Sequence, residues 1–269
     1  MGEIEMALNY DLIALDVDGT LLTDDHVLTD EVRESVQEAA AKGAQIVLCS
    51  GRGPSGVLPI MEQLELAGTL ISHNGAATVS SYDLAVVHQY EIIPGYLAPY
   101  IAYCKENGVH FDLNTAFDMM VERMTPEAEV MYARFHAKPS VFDFAAGLPS
   151  GLLKFTIFGS KEQMDVVQSD WEQWPRQLQS IRSGDFFIDV QHADANKGKA
   201  LRQLALSRGI DRERILAIGN YYNDISMLEF AGLGIAMDNS PELVKQSAGA
   251  VTLSNHEDGV AAALRKYVS

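Results

Sequence analysis

Near the start of the chain an apolar run ends on two carboxylates: Leu12-Ile13-Ala14-Leu15-Asp16-Val17-Asp18-Gly19-Thr20. Alternate residues of a strand share a face, so Asp16 and Asp18 begin on the same side. Gly19 then permits a sharp turn. Like charges held together are costly, and a cation or a shared proton is the usual relief. The pair fits a nucleophile with an acid/base partner, or a seat for Mg²⁺. A strand followed by an ordinary Asp-Gly turn fits the same residues.

Three further segments carry similar chemistry. Ser50-Gly51-Arg52 follows the apolar run Gln45–Cys49, and a hydroxyl with a guanidinium suits phosphate oxygens. Asn196-Lys197-Gly198 opens a helix, where a lysine has the wrong sign for the helix dipole and is better placed to meet an anion. Gly219-Asn220-Tyr221-Tyr222-Asn223-Asp224 passes from strand to helix with oxygens suited to a hard cation.

The elements around these segments alternate. Leu12–Leu15, Gln45–Cys49, Thr69–Ser72, Ile215–Ile218, Gly234–Met237 and Val251–Leu253 read as short apolar strands. Amphipathic helices separate them, from Thr29 as N-cap to Gly43, from Pro54 to Leu66, from Lys197 to Arg208 and from Asp258 to Tyr267. Apolar strands alternating with helices predict an α/β, Rossmann-like core with a parallel sheet covered on both faces. Ligands of such a sheet sit beyond the strands' carboxyl ends, where all four segments fall.

Between Asp83 and Asp189 the pattern changes to hairpin-like strand pairs beside helices, so an inserted α+β domain is expected. The predicted division is 1–82 with 190–269 as core and 83–189 as insert. Within the insert, Val86–Tyr90 is predicted as a strand, and Trp171 and Trp174 as packing residues three apart on a helix.

The chain has 269 residues and 47% hydrophobic content, enough for a full core. Its formal charge of −17 argues against nucleic acid and anionic membranes as partners. Its two cysteines, Cys49 and Cys104, read as buried free thiols of a reducing compartment. Without a leader or an apolar run of membrane-spanning length, the expected location is the cytoplasm. Gly51-Arg52-Gly53-Pro54-Ser55-Gly56 fits a dinucleotide fingerprint, but it follows the second strand and lacks an acidic residue near position 71 to hold a ribose. The seven histidines show no metal-ligand spacing. Tyr221 and Tyr222 lie where they could shape a pocket entrance.

Together the four segments resemble the haloacid dehalogenase (HAD) superfamily of aspartate-nucleophile phosphatases, and within it the Cof-type hydrolases. Asp16-Val17-Asp18-Gly19-Thr20 is similar to the first motif, Ser50-Gly51-Arg52 to the second, Lys197 in Asn-Lys-Gly to the third, and Asn223-Asp224 to the fourth. His73-Asn74-Gly75-Ala76 and Gly234-Ile235-Ala236-Met237 are similar to phrases of the subgroup. The resemblance implies a Mg²⁺-dependent phosphatase acting on a small phosphorylated metabolite. In it Asp16 attacks phosphorus and Asp18 is the acid/base. Ser50 and Lys197 hold phosphate oxygens, with Gly51, Arg52 and Asn223 as further contacts. Mg²⁺ lies among Asp16, the Asp18 carbonyl, Asn220 and Asp224. The inserted cap closes over the substrate. Apart from the resemblance, the polarity of Asn114, Arg123, Arg182 and Asp185 near predicted strand ends makes them candidate cap contacts, but a surface ion-pair role suits each of them better. A phosphomutase, or a phosphometabolite-binding protein without turnover, would share these motifs.

One position departs from the pattern. The family usually has Gly-Asp where this chain has Gly219-Asn220. An amide keeps the oxygen but removes a charge, which at ~4 Å and an effective dielectric near 20 is worth at most about 4 kcal/mol per unit charge. Weaker Mg²⁺ binding with retained hydrolysis is expected.

Overall fold

The computed structural model describes residues 9–134, 137–174 and 177–268. It opens with β1 (Leu12–Asp16), α1 (Asp30–Ala41), β2 (Gln45–Cys49), α2 (Pro54–Gln63), β3 (Thr69–Ser72), β4 (Ala77–Ser80) and β5 (Val86–Gln89). The middle contributes α3 (Ala98–Asn107), β6 (His110–Asn114), β7 (Met119–Val121), α4 (Pro126–Arg134), β8 (Ser140–Val141), β9 (Lys154–Phe158), α5 (Lys161–Trp171), β10 (Leu178–Gly184) and β11 (Phe187–His192). The chain closes with α6 (Lys197–Arg208), β12 (Ile215–Gly219), α7 (Ile225–Phe230), β13 (Leu233–Ala236), α8 (Glu242–Gln246), β14 (Ala250–Val251) and α9 (Gly259–Tyr267).

Two compact units result, Met1–His88 with Asn196–Ser269, and Gln89–Ala195. In the first, the described strands form one sheet in the order β14-β13-β12-β1-β2-β3-β4-β5. From β14 to β3 the neighbours run parallel. Alternate residues of each strand feed opposite cores. Ile13, Leu15, Leu48 and Ile218 pack on one face with α1 and α9, while Leu12, Ala14, Val47 and Ala217 pack on the other with α6 and α7. Thr29 caps α1 as expected, its hydroxyl accepting from the Val32 N–H at 3.3 Å. The chain leaves β1 to one side for β2 and returns on the other side as β12, so the carboxyl end of β1 is the switch point of the sheet.

The structure adds detail to the sequence reading in three places. The sheet is mixed, because β4 turns back antiparallel to β3. The joins between units fall at 88/89 and 195/196 rather than 82/83 and 189/190. On the first side β5 continues the core sheet as its edge; on the second, β11 belongs wholly to the other sheet. Helix α2 stops at Gln63 rather than Leu66, because Glu65 takes a left-handed φ of 54°.

The second unit has its own sheet, β10-β11-β9-β6-β7-β8. One face of it, with Phe111, Leu113, Phe155, Ile157, Ile188 and Val190, packs on α3 and α5. Tyr100 meets Trp171 and Trp174 edge-on at 4.8 and 4.9 Å, so both tryptophans are packing residues, Trp174 from just beyond α5. No helix among the described residues is long and apolar enough to cross a membrane.

Candidate active site

All four chemical segments belong to the first unit and meet at the carboxyl end of its sheet. Asp16 is the last residue of β1, in register with Cys49 of β2, and Ser50 follows at once. On the other flank Leu15 is in register with Ile218, so Gly219 and the Asn220 loop lie beside Asp16. The backbone of Ser50 is pinned by its N–H to the Ile71 carbonyl at 2.8 Å and by its own carbonyl, which accepts from Asn74 at 3.0 Å.

The centre is a buried charge triad. Lys197 Nζ donates to Asp16 Oδ1 and to Asp224 Oδ1, each at 2.6 Å, and Lys197 and Asp224 have no exposed surface. Burial by itself depresses the Lys197 ammonium, but Asp16 and then Asp224 outweigh it and hold the group above the ordinary lysine value. Burial, and next the Asp224 charge, push the Asp16 carboxyl up to about 7 against the opposing pull of Lys197. The Thr20 hydroxyl is directed to Asn220 Oδ1 at 3.3 Å, which leaves Asp16 Oδ2 buried and without a hydrogen-bond donor.

Asp224 is committed elsewhere. Its Oδ2 accepts from the backbone N–H groups of Asn220 and Tyr221, each at 2.9 Å, and its Oδ1 is held by Lys197. Three of its four lone-pair sites are thereby used. Asp224 comes to the site beside Asp16, where it shapes the Asn220 loop and seats Lys197. Glycine is required at 219, where a Cβ would lie 2.7 Å from the Asp224 side chain, and is favoured at 19 by a φ of 76°.

Asp18 is gripped by Arg52, whose Nε donates to Oδ2 at 2.9 Å while Nη2 pairs with Oδ1. His26 Nδ1 lies 3.4 Å from the same Oδ1. Arg52, which reads from sequence as a phosphate contact or a structural ion pair, pairs with Asp18 here, whose carboxylate offers a fork of acceptors to the planar guanidinium. The Arg52 N–H donates to Ser50 Oγ at 3.1 Å, so the serine oxygen accepts and its hydroxyl hydrogen remains to be given. Asn223 Nδ2 donates to Asn74 Oδ1 at 3.0 Å, and that oxygen lies 3.0 Å from where a Cβ on Gly51 would stand. Asn223 thus reaches the Gly51 loop through Asn74.

A sequence model of haloacid dehalogenase-like hydrolases matches residues 13–264. The chain belongs to that family. It is 32% identical to YxeH of Bacillus subtilis (strain 168), over 96% of this chain and 98% of that protein. It is 29% identical to the 5-amino-6-(5-phospho-D-ribitylamino)uracil phosphatase YcsE of the same organism, over 96% and 95%. Among solved structures, a haloacid dehalogenase-like hydrolase from Bacteroides thetaiotaomicron is similar at a TM-score of 0.85 and 28% identity, over 96% and 99%. The HAD subclass IIB sugar phosphatase BT4131 is similar at a TM-score of 0.81 and 25% identity, over 96% and 98%.

Phosphatases of this superfamily generally use Mg²⁺. Among the described residues no group of three or more His, Cys, Asp or Glu side chains is placed to hold a metal. The buried, unpartnered Asp16 Oδ2 beside the neutral Asn220 loop does fit a small hard cation, because Mg²⁺ needs one or two carboxylates and keeps waters or substrate oxygens in its other positions.

The motif phrase at 73–76 and residues outside any motif complete the hydrolase's site. His73, Asn74 and Gly75 take φ values of 50°, 54° and 95° in succession. A Cβ on Gly75 would stand 2.3 Å from the Asn196 carbonyl, so this glycine makes the seat for Lys197. Ser226 Oγ accepts from the Gly198 N–H at 3.0 Å and anchors the start of α6. An Asn-Gly step directly after a buried strand was the available signal for the turn; Ser226 and His26 left none. In the second unit Arg182 pairs with Asp165 at 3.1 Å and Asp185 with Lys161 at 3.1 Å, while buried Asn114 donates to Asp112 at 2.6 Å.

Proposed function

We propose that this HAD-family phosphatase hydrolyses monoesters of small phosphorylated metabolites through an aspartyl-phosphate formed on Asp16. The observation that carries the reading is the state of that carboxylate: fixed at the strand end, one oxygen locked by Lys197, the other buried and unshared. Asp16 attacks phosphorus and the bond to the ester oxygen breaks. Asp18 gives a proton to the departing alcohol. It then takes one from the water that cleaves the aspartyl-phosphate, releasing inorganic phosphate and restoring Asp16. Arg52 holds both Asp18 oxygens in the structure and must release one of them, so that Asp18 can take up from solvent the proton it then gives.

An anionic nucleophile must approach an anionic ester. The Lys197 ammonium and the Ser50 hydroxyl supply fixed donors for the phosphoryl oxygens, with little reorganisation during reaction. Mg²⁺, held by Asp16, the Asp18 carbonyl and Asn220, would supply the remaining charge neutralisation. The net charge of −17 and the names of the relatives support a small-molecule ester rather than a nucleic acid as substrate. We assign substrate selection to the second unit, whose inserted sheet carries polar side chains at Asp112, Asn114, Thr156 and Asp189.

The test is turnover of p-nitrophenyl phosphate and a panel of phosphorylated metabolites with Mg²⁺, joined to acid-quench trapping of the labelled phosphoryl group. Released inorganic phosphate and label on Asp16 are expected, both lost in Asp16→Ala. Full turnover by that variant, or an isomerised phosphate ester as sole product, overturns the reading.

A further inference from the structure

We infer that Asn74 is a positioning residue of this phosphatase, clamping the loop that carries Ser50 to the loop that carries Asp224, so that the Ser50 hydroxyl and the Lys197 ammonium stand at a fixed span. The inference rests on the functional reading above and concerns what holds its phosphoryl donors in place.

The turn between β3 and β4 has a backbone that ordinary turns avoid. His73 and Asn74, neither of them glycine, take left-handed φ values of 50° and 54°, and Gly75 follows at 95°. Such backbone persists where surrounding contacts over-determine it. Here three successive residues each meet a different part of the site. The His73 N–H donates to the Arg52 carbonyl at 2.9 Å. The Asn74 N–H donates to the Ser50 carbonyl at 3.0 Å, and Asn74 Oδ1 accepts from Asn223 Nδ2 at 3.0 Å. Gly75 lies against Asn196, the residue before Lys197.

Asn74 thus joins both flanks of β1. Ser50 follows β2 and Asn223 lies in the loop after β12, and these two strands are the neighbours of β1. The Asn74 side chain is buried, so its bond to Asn223 is shielded from competing water. Gly51 leaves room for it, since a Cβ there would stand 3.0 Å from Asn74 Oδ1. Asn223 immediately precedes Asp224, whose Oδ1 seats Lys197 at 2.6 Å. Release of Asn223 from Asn74 therefore lets the Lys197 seat move relative to Ser50. Fixed donors lower the barrier only while their geometry is held, and misplacement by about 1 Å is worth up to about a hundredfold in rate.

Two variants separate the side chain from its backbone. Asn74→Gly suits the left-handed φ and keeps the backbone bond to Ser50, but removes the acceptor for Asn223. Asn74→Asp keeps the acceptor, tolerates the same φ and adds a charge beside the Ser50 loop. With p-nitrophenyl phosphate and Mg²⁺, Asn74→Gly is expected to lower kcat at least about tenfold with KM within about threefold. Asn74→Asp should keep kcat within about threefold and raise KM, because the added charge repels bound ester and transition state alike. In Asn223→Ala, which already lacks the clamp, Asn74→Gly should lower kcat by less than about twofold further. Wild-type kcat in Asn74→Gly, an equal loss of kcat in Asn74→Gly and Asn74→Asp, or multiplicative losses in the double variant overturns the inference. Label on Asp16 in the wild type keeps the functional reading standing in each of these cases. If the wild type turns over no ester, the functional reading falls and hydrogen exchange decides the clamp. Asn74→Gly should then speed exchange at the Asn220 and Tyr221 amides at least about fivefold, and unchanged exchange overturns the inference.

Discussion

Replacing Asp16 by asparagine removes a charge that the fold keeps at a thermodynamic loss. Burial and the neighbouring Asp224 push this carboxyl from its ordinary value of about 3.9 up to about 7, even with Lys197 beside it. A rise of about three units means that ionised Asp16 costs the folded chain at most about 4 kcal/mol relative to the unfolded one. The sign follows from linkage. An acid with a raised folded-state pKa contributes stability that is present below the unfolded pKa and is lost as pH rises through the folded one. Metal-free wild type therefore carries the penalty at pH 8.5 and sheds it between pH 7 and 4. In Asp16→Asn the site no longer titrates there, and the amide oxygen still accepts from Lys197. Allowing for the weaker attraction to that ammonium, the variant should be more stable than wild type by about 1–3 kcal/mol at pH 8.5 in EDTA. The gap should close toward pH 5, and turnover should be lost throughout. Both tryptophans, Trp171 and Trp174, lie in the second unit, so their emission does not follow this unit. Hydrogen exchange at the amides of β1 and β12 does. A variant less stable than wild type at pH 8.5, or a gap constant from pH 8.5 to 5, refutes the reasoning.

Gly75→Ala forces a Cβ to 2.3 Å from the Asn196 carbonyl at a φ of 95°, and should cost on the order of 3 kcal/mol while displacing Lys197. Gly209→Ala, at a φ of 65° with no atom near the new Cβ, should cost only about 1 kcal/mol with activity intact; equal losses by urea unfolding count against a special role for Gly75. In the second unit, burial raises the Asp112 carboxyl to about 6 against Lys154, Asn114 and Tyr132. Its share of stability should fall by up to about 3 kcal/mol as pH rises from 4 to 6, and Asp112→Asn should flatten that slope in urea melts followed by tryptophan emission.

The strand ends that carry chemistry were legible because buried parallel strands leave unbroken apolar runs. Leu12–Asp16 and Gln45–Cys49 have no polar alternation to hide them; the first stops on Asp16 and the second stops just before Ser50. β4 was not legible: Ala-Thr-Val-Ser is short, half polar and adjoins a turn, so local pattern does not set it apart from a loop. The Arg52–Asp18 pair joins residues 34 apart through a turn whose direction only the fold decides. Asp224 shows the limit most clearly. Its type and position placed it at the site, but nothing local foretold that its carboxylate accepts from two N–H groups of its own loop and from a lysine of another helix.

Lys197 is only the second residue after the chain returns from the inserted unit, and Asn196 before it is pressed against Gly75. The outgoing join, by contrast, lies in an edge strand remote in sequence from every reactive side chain. Exchange of one insert for another, by recombination or by design, is consequently asymmetric. The upstream seam tolerates wide choice of crossover point, whereas the downstream seam has almost no margin before it severs the ammonium from its seat.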